Sequence, residues 1–252
     1  MLLDYFEKIE QYKLFFRDQL EYERIEHFLE CSSDWNIHHD INFVKKWFLD
    51  IRNKCNMEVT EINLNSCQNW SMDPSTGNYC HSSGEFFKIH GIRINSEHRE
   101  VGLGGWDQPI LTQIGYDGGL LGILKQRFSG IPHYLIEAKM EPGNYEKVQL
   151  SPTLQATFSN LKRAHKGSKP KYSEFFENPE ENETKLIYNQ WLSEDGGRLY
   201  LKRNRGMIAE VEENTIINIP KNFIWLSMWQ IKELLKENAW VNPHVRGIIA
   251  HL

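Results

Sequence analysis

Apolar residues recur at helical spacing through the first quarter of the chain. Leu3, Phe6, Ile9, Leu14, Phe16, Leu20 and Ile25 stand among charges over residues 2–30, and Phe43, Val44, Trp47, Phe48 and Ile51 repeat the pattern over 41–55. Asp40 sits where an N-cap belongs. From residue 57 the period drops to two. VTEINLN (59–65) and FFKIHGIRIN (86–95) alternate, with the turn formers of 69–83 between them. A loop and strand over 99–111, strands over 120–128, 132–140 and 145–160, and short strands at LIYNQW (186–191) and GRLYLKRNRG (197–206) continue the pattern. EFFENPEENET (174–184) reads as a surface loop. Ser227 with Gln230 forms a capping box for a helix through Glu237, and Asn242-Pro243 opens a last short helix. Helices, then strands without regular helical crossovers, then helices predict an α+β fold. We read one module over 1–252: a helical N-terminal region over residues 1–55, a sheet core 56–225 and C-terminal helices 226–252.

Composition narrows the function. Of 252 residues 40% are hydrophobic, 25% charged and 12% aromatic, too many large rings for a disordered chain. Apolar runs are far shorter than the ~20 residues of a membrane span. The opening MLLDYFEKIEQ carries charges where a signal peptide needs its apolar stretch, so a cytoplasmic protein is expected. A net charge of -5 argues against a nucleic-acid partner. Cys31, Cys55, Cys67 and Cys80 form no Cys-x-x-Cys, which fits reduced thiols. The adjacent pairs His38-His39 and Cys80-His81 rarely point at one ion, so no metal is expected.

Two segments carry candidate chemistry. Alternation sends His133, Leu135, Glu137, Lys139 and Glu141 to one face of a strand. Downstream, Gln149, Ser151, Thr153, Gln155, Thr157 and Ser159 alternate with apolar residues over 148–159, Pro152 forcing an edge or a bulge. Such rows form either a solvated sheet face or a concave pocket for a polyhydroxylated ligand, and a Lys between two Glu is either a site or an ion pair. Next, LKRAHKGSKPKY gathers Lys162, Arg163, His165, Lys166, Lys169 and Lys171. That run is an exposed basic loop or a diphosphate chelator, with Arg203 and Arg205 a second, smaller cluster. Residues 102–105, GLGG, are too short for a phosphate loop.

Whole strings carry a resemblance. GGWDQPI (104–110), HYLIEAKMEPGN (133–144), VQLSPTLQATFSN (148–160), RNR (203–205) and FIWLSMWQIKELL (223–235) resemble the NDP-hexose 2,3-dehydratase family over residues 30–250. The resemblance implies a Nudix-like α+β module without the Glu-rich Nudix box, no redox cofactor, and loss of water across C2 and C3 of an NDP-4-keto-6-deoxyhexose. Members usually carry two copies of the module, and here each motif occurs once, so a homodimer is expected. Glu137 also stands where the family pattern has a neutral amide, and the AHKGSKPKY stretch departs from it too.

A 4-keto group acidifies the C3 proton, so the reaction needs a base, donors for the enolate oxygen, and an acid for the departing C2 hydroxyl. Glu141 or His165 is the candidate base or acid, and Lys139 the stabiliser of developing charge. His133, Gln149, Ser151, Thr153, Gln155 and Gln108 are candidates for sugar binding. Arg163, Arg203 and Arg205 are candidates for the diphosphate, and Trp106 and Tyr172 for base stacking or, alternatively, core. A competing reading is a non-catalytic nucleotide-sugar binding module; a third is a metal-dependent hydrolase.

Overall fold

The structure, a computed structural model, describes residues 2–13, 19–97, 104–114, 118–161 and 168–252. The helical opening divides into α1 (Leu2–Lys13), α2 (Gln19–Ser32) and α3 (Ile41–Asn53). Asp40 caps α3 as expected, its carboxylate accepting from the Phe43 amide at 2.8 Å, and Val44 and Phe48, about one turn apart, are buried together. The strand expected over 59–65 is absent. The segment is irregular with a single 3-10 turn at Leu64–Ser66, and Val59, Ile62 and Leu64 are exposed. Alternation needs a partner strand, and here the Asn63 side chain takes the Asn65 amide and turns the chain instead.

Two sheets follow. β1 (Trp70–Met72), β2 (Tyr79–His81), β3 (Phe87–Ile94) and β4 (Trp106–Gln113) form an antiparallel meander, its first two strands built within the turn-rich 69–83. The larger sheet contains β5 (Gly119–Phe128), β6 (Ile131–Met140), β7 (Val148–Pro152) and β8 (Leu154–Thr157). After α4 (Phe158–Leu161) and α5 (Glu174–Glu177) it is completed by β9 (Lys185–Ser193), β10 (Arg203–Val211) and β11 (Phe223–Leu226), in the order β11-β6-β5-β10-β9. β10 runs parallel to β5; the other pairings are antiparallel. The result is a mixed α+β fold, compatible with a Nudix-like module. The central strand β10 extends well past the Gly206 at which the alternation stops. Met207, Ile208 and Ala209 are buried on both faces, and such a strand shows an apolar run rather than a period of two.

Each face of this sheet has its own core. Tyr134, Ile136, Ala138 and Ile208 pack with Val44, Phe48 and residues of α6 (Met228–Leu234) and α7 (Pro243–Ile249). Leu120, Leu124, Leu135 and Met207 pack with Tyr172, Phe176, Phe223 and Trp225. The stretch 174–184 is therefore more than a surface loop: Phe176 on α5 lies against Gly122, where a β-carbon would come within 2.3 Å of the ring. The capping box at Ser227 and the Asn242 cap are both formed, although α6 ends at Leu234, before Glu237.

The feature that positions the site is a fork. β5 and β6 pair only where they meet in their hairpin, Leu124–Phe128 against Ile131–Leu135, and then diverge. The chain from Val148 to Thr157 fills the gap, β7 pairing with Ile136–Met140 of β6 and β8 with Gly119–Gly122 of β5. Pro152 and Thr153 mark the switch, the irregularity that a proline inside an alternating strand predicts. At the crotch the Thr153 hydroxyl accepts from the Leu124 amide at 2.8 Å and donates to the Leu135 carbonyl, joining both diverging strands.

Candidate functional site

A cavity of about 260 Å³ opens beside this fork. Its walls are Glu137 and Lys139 from β6, Thr153, Leu154 and Gln155 from β7 and β8, Pro170 and Lys171 from the segment before α5, and Pro220, Asn222 and Phe223 leading into β11. The row of alternating residues on β6 thus has three fates. His133 and Leu135 are buried, Glu137 and Lys139 reach the cavity, and Glu141, just past the end of β6 at Met140, does not line it.

Inside the cavity the Lys139 ammonium lies 3.7 Å from Glu137 Oε2 and 3.4 Å from the Gln155 carbonyl oxygen. Both contacts are long, leaving donor capacity toward the cavity. Glu137 Oε1 accepts from the Asn222 side-chain amide at 3.1 Å. Burial pushes the Glu137 carboxyl above its usual range, with Lys139 opposing. Gln155 donates to Glu141 Oε1 at 2.8 Å and accepts from Asn242 at 3.3 Å, so the amide that alternation placed in a binding row also fixes the Glu141 carboxylate.

Much of the remaining polar row is spent on the C-terminal segment. Ser151, fully buried, accepts from the Asn242 amide at 2.7 Å, while the Asn242 carbonyl oxygen caps α7 through the Val245 amide at 3.0 Å. Gln149 donates to the Ala239 carbonyl at 2.9 Å. His133 lies outside the cavity, buried, with Nδ1 2.9 Å from the Ile131 carbonyl and Nε2 accepting from the Ile37 amide. Burial pushes its imidazole down to about 4, so it is neutral at pH 7.

Other candidates are dispersed. Tyr172 is core: its ring meets Phe223 edge-on at 5.3 Å and its hydroxyl donates to the Asn218 carbonyl at 2.7 Å. Trp106 and Gln108 lie on β4 of the smaller sheet, the Trp106 indole donating to Gln108 at 2.8 Å and the Gln108 amide to the Gly197 carbonyl at 3.0 Å. Arg203 stacks over Trp191 at 4.4 Å and Arg205 donates to Asn189. Arg205 pairs with Leu120, which pairs with Ala156, so it sits two strands, roughly 10 Å, from the chain that carries Gln155. Arg163 and His165 lie outside the described residues. Sequence reasoning missed Asn222 and Asn242 as partners of the site, because an isolated Asn before a strand or helix signals only a turn or cap.

A family model of NDP-hexose 2,3-dehydratases matches residues 41–252. This chain belongs to that family. Relatives named dTDP-4-dehydro-6-deoxy-alpha-D-glucopyranose 2,3-dehydratase include one from Saccharopolyspora spinosa, 35% identical over 204 residues, 81% of this chain and 40% of the relative. A second, from Amycolatopsis orientalis, is 36% identical over 83% of this chain and 44% of its own length. A third, from Streptomyces violaceoruber, is 37% identical over 82% of this chain and 45% of its own. The chain thus spans less than half the length of these relatives. Within this 2,3-dehydratase family member, every strand bordering the fork lies inside the matched region, whereas α1 and α2 lie before it.

Proposed function

We propose that this protein removes water across C2 and C3 of a nucleotide-linked 4-keto-6-deoxyhexose, giving the 3,4-diketo-2,6-dideoxy sugar, with dTDP as the nucleotide carried by the named relatives. The observation that carries the reading is the Lys139–Glu137 pair in a cavity walled by the two most distinctive family strings. A cavity of about 260 Å³ suits one sugar ring better than a whole nucleotide sugar.

In this reading a base takes the C3 proton, the charge moves to the C4 oxygen, and the Lys139 ammonium holds that oxygen. The enolate then expels the C2 hydroxyl as water, and the C3 enol tautomerises to the ketone. Glu141, held by Gln155, or His165 carries the proton, and Arg163 with Arg203 and Arg205 steadies the diphosphate. The atoms balance without a redox cofactor. The chain works as a cytoplasmic homodimer, a reading supported by its four free thiols and by apolar side chains as exposed as Phe28 and Ile62.

The test is a panel of dTDP-, UDP- and GDP-linked 4-keto-6-deoxyhexoses, with solvent deuterium exchange at C3 as a second readout. Dehydration of one member is expected. Tight nucleotide binding with no exchange and no turnover would replace the reading by that of a non-catalytic nucleotide-sugar module. Light scattering is expected to give twice the mass of one chain, and a fully active monomer overturns the dimer.

A further inference from the structure

Glu137 is the one carboxylate among the described residues that line the fork cavity, since Glu141 stands outside it. Its backbone is held on both sides, paired with Phe223 of β11 and with Ser151 of β7, so the side chain starts from a fixed point. Lys139, two residues on, shares its face of β6 and sets its ammonium 3.7 Å from Glu137 Oε2. That separation is too long for a hydrogen bond. Charge alone holds the two together, and the contact therefore depends on whether the carboxyl is ionised.

We propose that Glu137 is a positioning residue for Lys139, holding the ammonium as a carboxylate and releasing it to the C4 oxygen of the substrate as a neutral carboxyl. This role rests on the reaction and the part of Lys139 proposed above. The enolate that Lys139 steadies is itself an anion. A carboxylate on the same ammonium competes with it and repels the developing charge, in a site partly shut off from water. A carboxyl that has taken up a proton does neither, and its Oε1 still accepts from the Asn222 amide, 3.1 Å away.

The groups around Glu137 set the direction of the switch. Burial raises its carboxyl, Lys139 opposes, Glu141 past the end of the strand adds to the rise, and the Asn222 amide lowers it; the net shift is upward. From the segment before α5, Lys171 lines the same cavity, while the Tyr172 phenol, pushed up to about 12 chiefly by burial, stays neutral. The fork strands contribute the uncharged Thr153 and Gln155. Neutral Glu137 thus persists to higher pH than an ordinary glutamate. Lys139 is released below that titration and held above it, so turnover is lost as pH rises through it.

The experiment is the pH profile of kcat and KM for the dTDP-linked 4-keto-6-deoxyglucose, with deuterium exchange at C3 alongside. The wild type is expected to lose roughly tenfold to a hundredfold in kcat across an alkaline limb. Glu137→Gln keeps the shape but does not ionise; it is expected to lack that limb and to exceed the wild type above it by the same factor, in kcat rather than KM. Glu137→Asp, which still ionises, is expected to keep a limb, and Asn222→Ala, which withdraws a donor to the carboxylate, to move it to higher pH. A limb that survives in Glu137→Gln overturns the assignment. So does a Glu137→Gln variant that exchanges C3 but no longer dehydrates, which would make Glu137 the acid for the departing hydroxyl, or one whose melting temperature falls while its pH profile stays that of the wild type. Carbon-13 NMR of glutamate-labelled protein, with Glu137→Gln identifying the signal, reads the titration without substrate. Lys139→Met is expected to push that titration higher, and a titration in the ordinary carboxylate range, or one that Lys139→Met does not move, overturns the coupling whatever the reaction. A wild type that neither exchanges nor dehydrates, while the NMR titration behaves as expected, sinks the proposed reaction and leaves the coupled pair standing.

Discussion

The sheet carries a cluster of ionisable groups on each face, and the two behave oppositely. On the face opposite the fork cavity, a hollow of about 510 Å³ lies between α2 and the strands, with Glu26, Glu30, Lys125, Arg127, Tyr134 and Glu210 in its walls. It is twice the size of the fork cavity and richer in charge, yet its acids Glu26, Glu30 and Glu210 are each held by hydrogen bonds shorter than 3 Å. Arg127 donates to both Glu26 oxygens at 2.7 and 2.9 Å, to Glu210 at 2.9 Å and to the Gly130 carbonyl at 3.1 Å. Burial alone would raise the Glu26 carboxyl, but Arg127 pulls it below its usual range. Glu30 accepts from the Tyr134 hydroxyl at 2.7 Å. These groups fasten α2 to the sheet. Lys139, by contrast, meets its two nearest oxygens only at 3.4 and 3.7 Å. Volume and charge count do not distinguish a candidate site from a fastening; where the acids are already held by short hydrogen bonds, the cluster acts as structure.

The largest effect expected from that contrast is on stability. Arg127→Met leaves Glu26 charged and buried without its partner, which costs about 3 to 5 kcal/mol, read by urea unfolding. Turnover per folded molecule stays at the wild-type value. A loss of turnover at unchanged stability would exchange the roles of the two clusters.

Lys139→Met is the mirror image. In the proposed mechanism this removes a donor to the developing oxyanion, so kcat is expected to fall about 100- to 1,000-fold, while stability shifts by less than about 1 kcal/mol. Full turnover in this variant would remove Lys139 from the chemistry.

The third test uses pH. Burial pushes the Glu30 carboxyl up to about 7, from 4.5 in the unfolded chain. Its protonated form contributes stability that is fully present below 4.5 and is lost as pH rises through about 7, because the unfolded chain ionises first. From pH 4.5 to 8 the wild type should lose up to about 3 kcal/mol relative to Glu30→Gln, whose side chain does not titrate. Parallel pH profiles for the two proteins would show that Glu30 is not buried as described.

The smallest effect marks the border between the regions. Thr153→Val leaves the Leu124 amide and Leu135 carbonyl unmatched at the fork, costing about 1 to 3 kcal/mol in thermal or urea unfolding. KM should be unchanged, since this hydroxyl already has partners on both strands. A raised KM at full stability would return Thr153 to the binding row.

Local signals were legible wherever the physics is local. Caps at Asp40, Ser227 and Asn242 satisfy amides within three residues, so a short window contains both partners. The α+β order, the strands around 133 and 148, and the break at Pro152 were legible for the same reason. The strand expected at 59–65 failed because alternation describes one strand and is silent about whether another lies beside it. Strand β10 was cut short because a strand covered on both faces loses the alternation that identifies it.

By itself the sequence determined the period of each segment, the polar rows on the two strands of the fork, and strings distinctive enough to carry a family. Only the tertiary structure decided what those rows face. Ser151 and Gln149 were directed to the C-terminal segment, His133 and Leu135 to the interior, and Glu137 and Lys139 to the cavity. Alternation fixes which side of a strand a residue occupies. What lies on that side comes from elements up to about 90 residues away, as Asn242 does for Ser151, and no local pattern encodes their arrival.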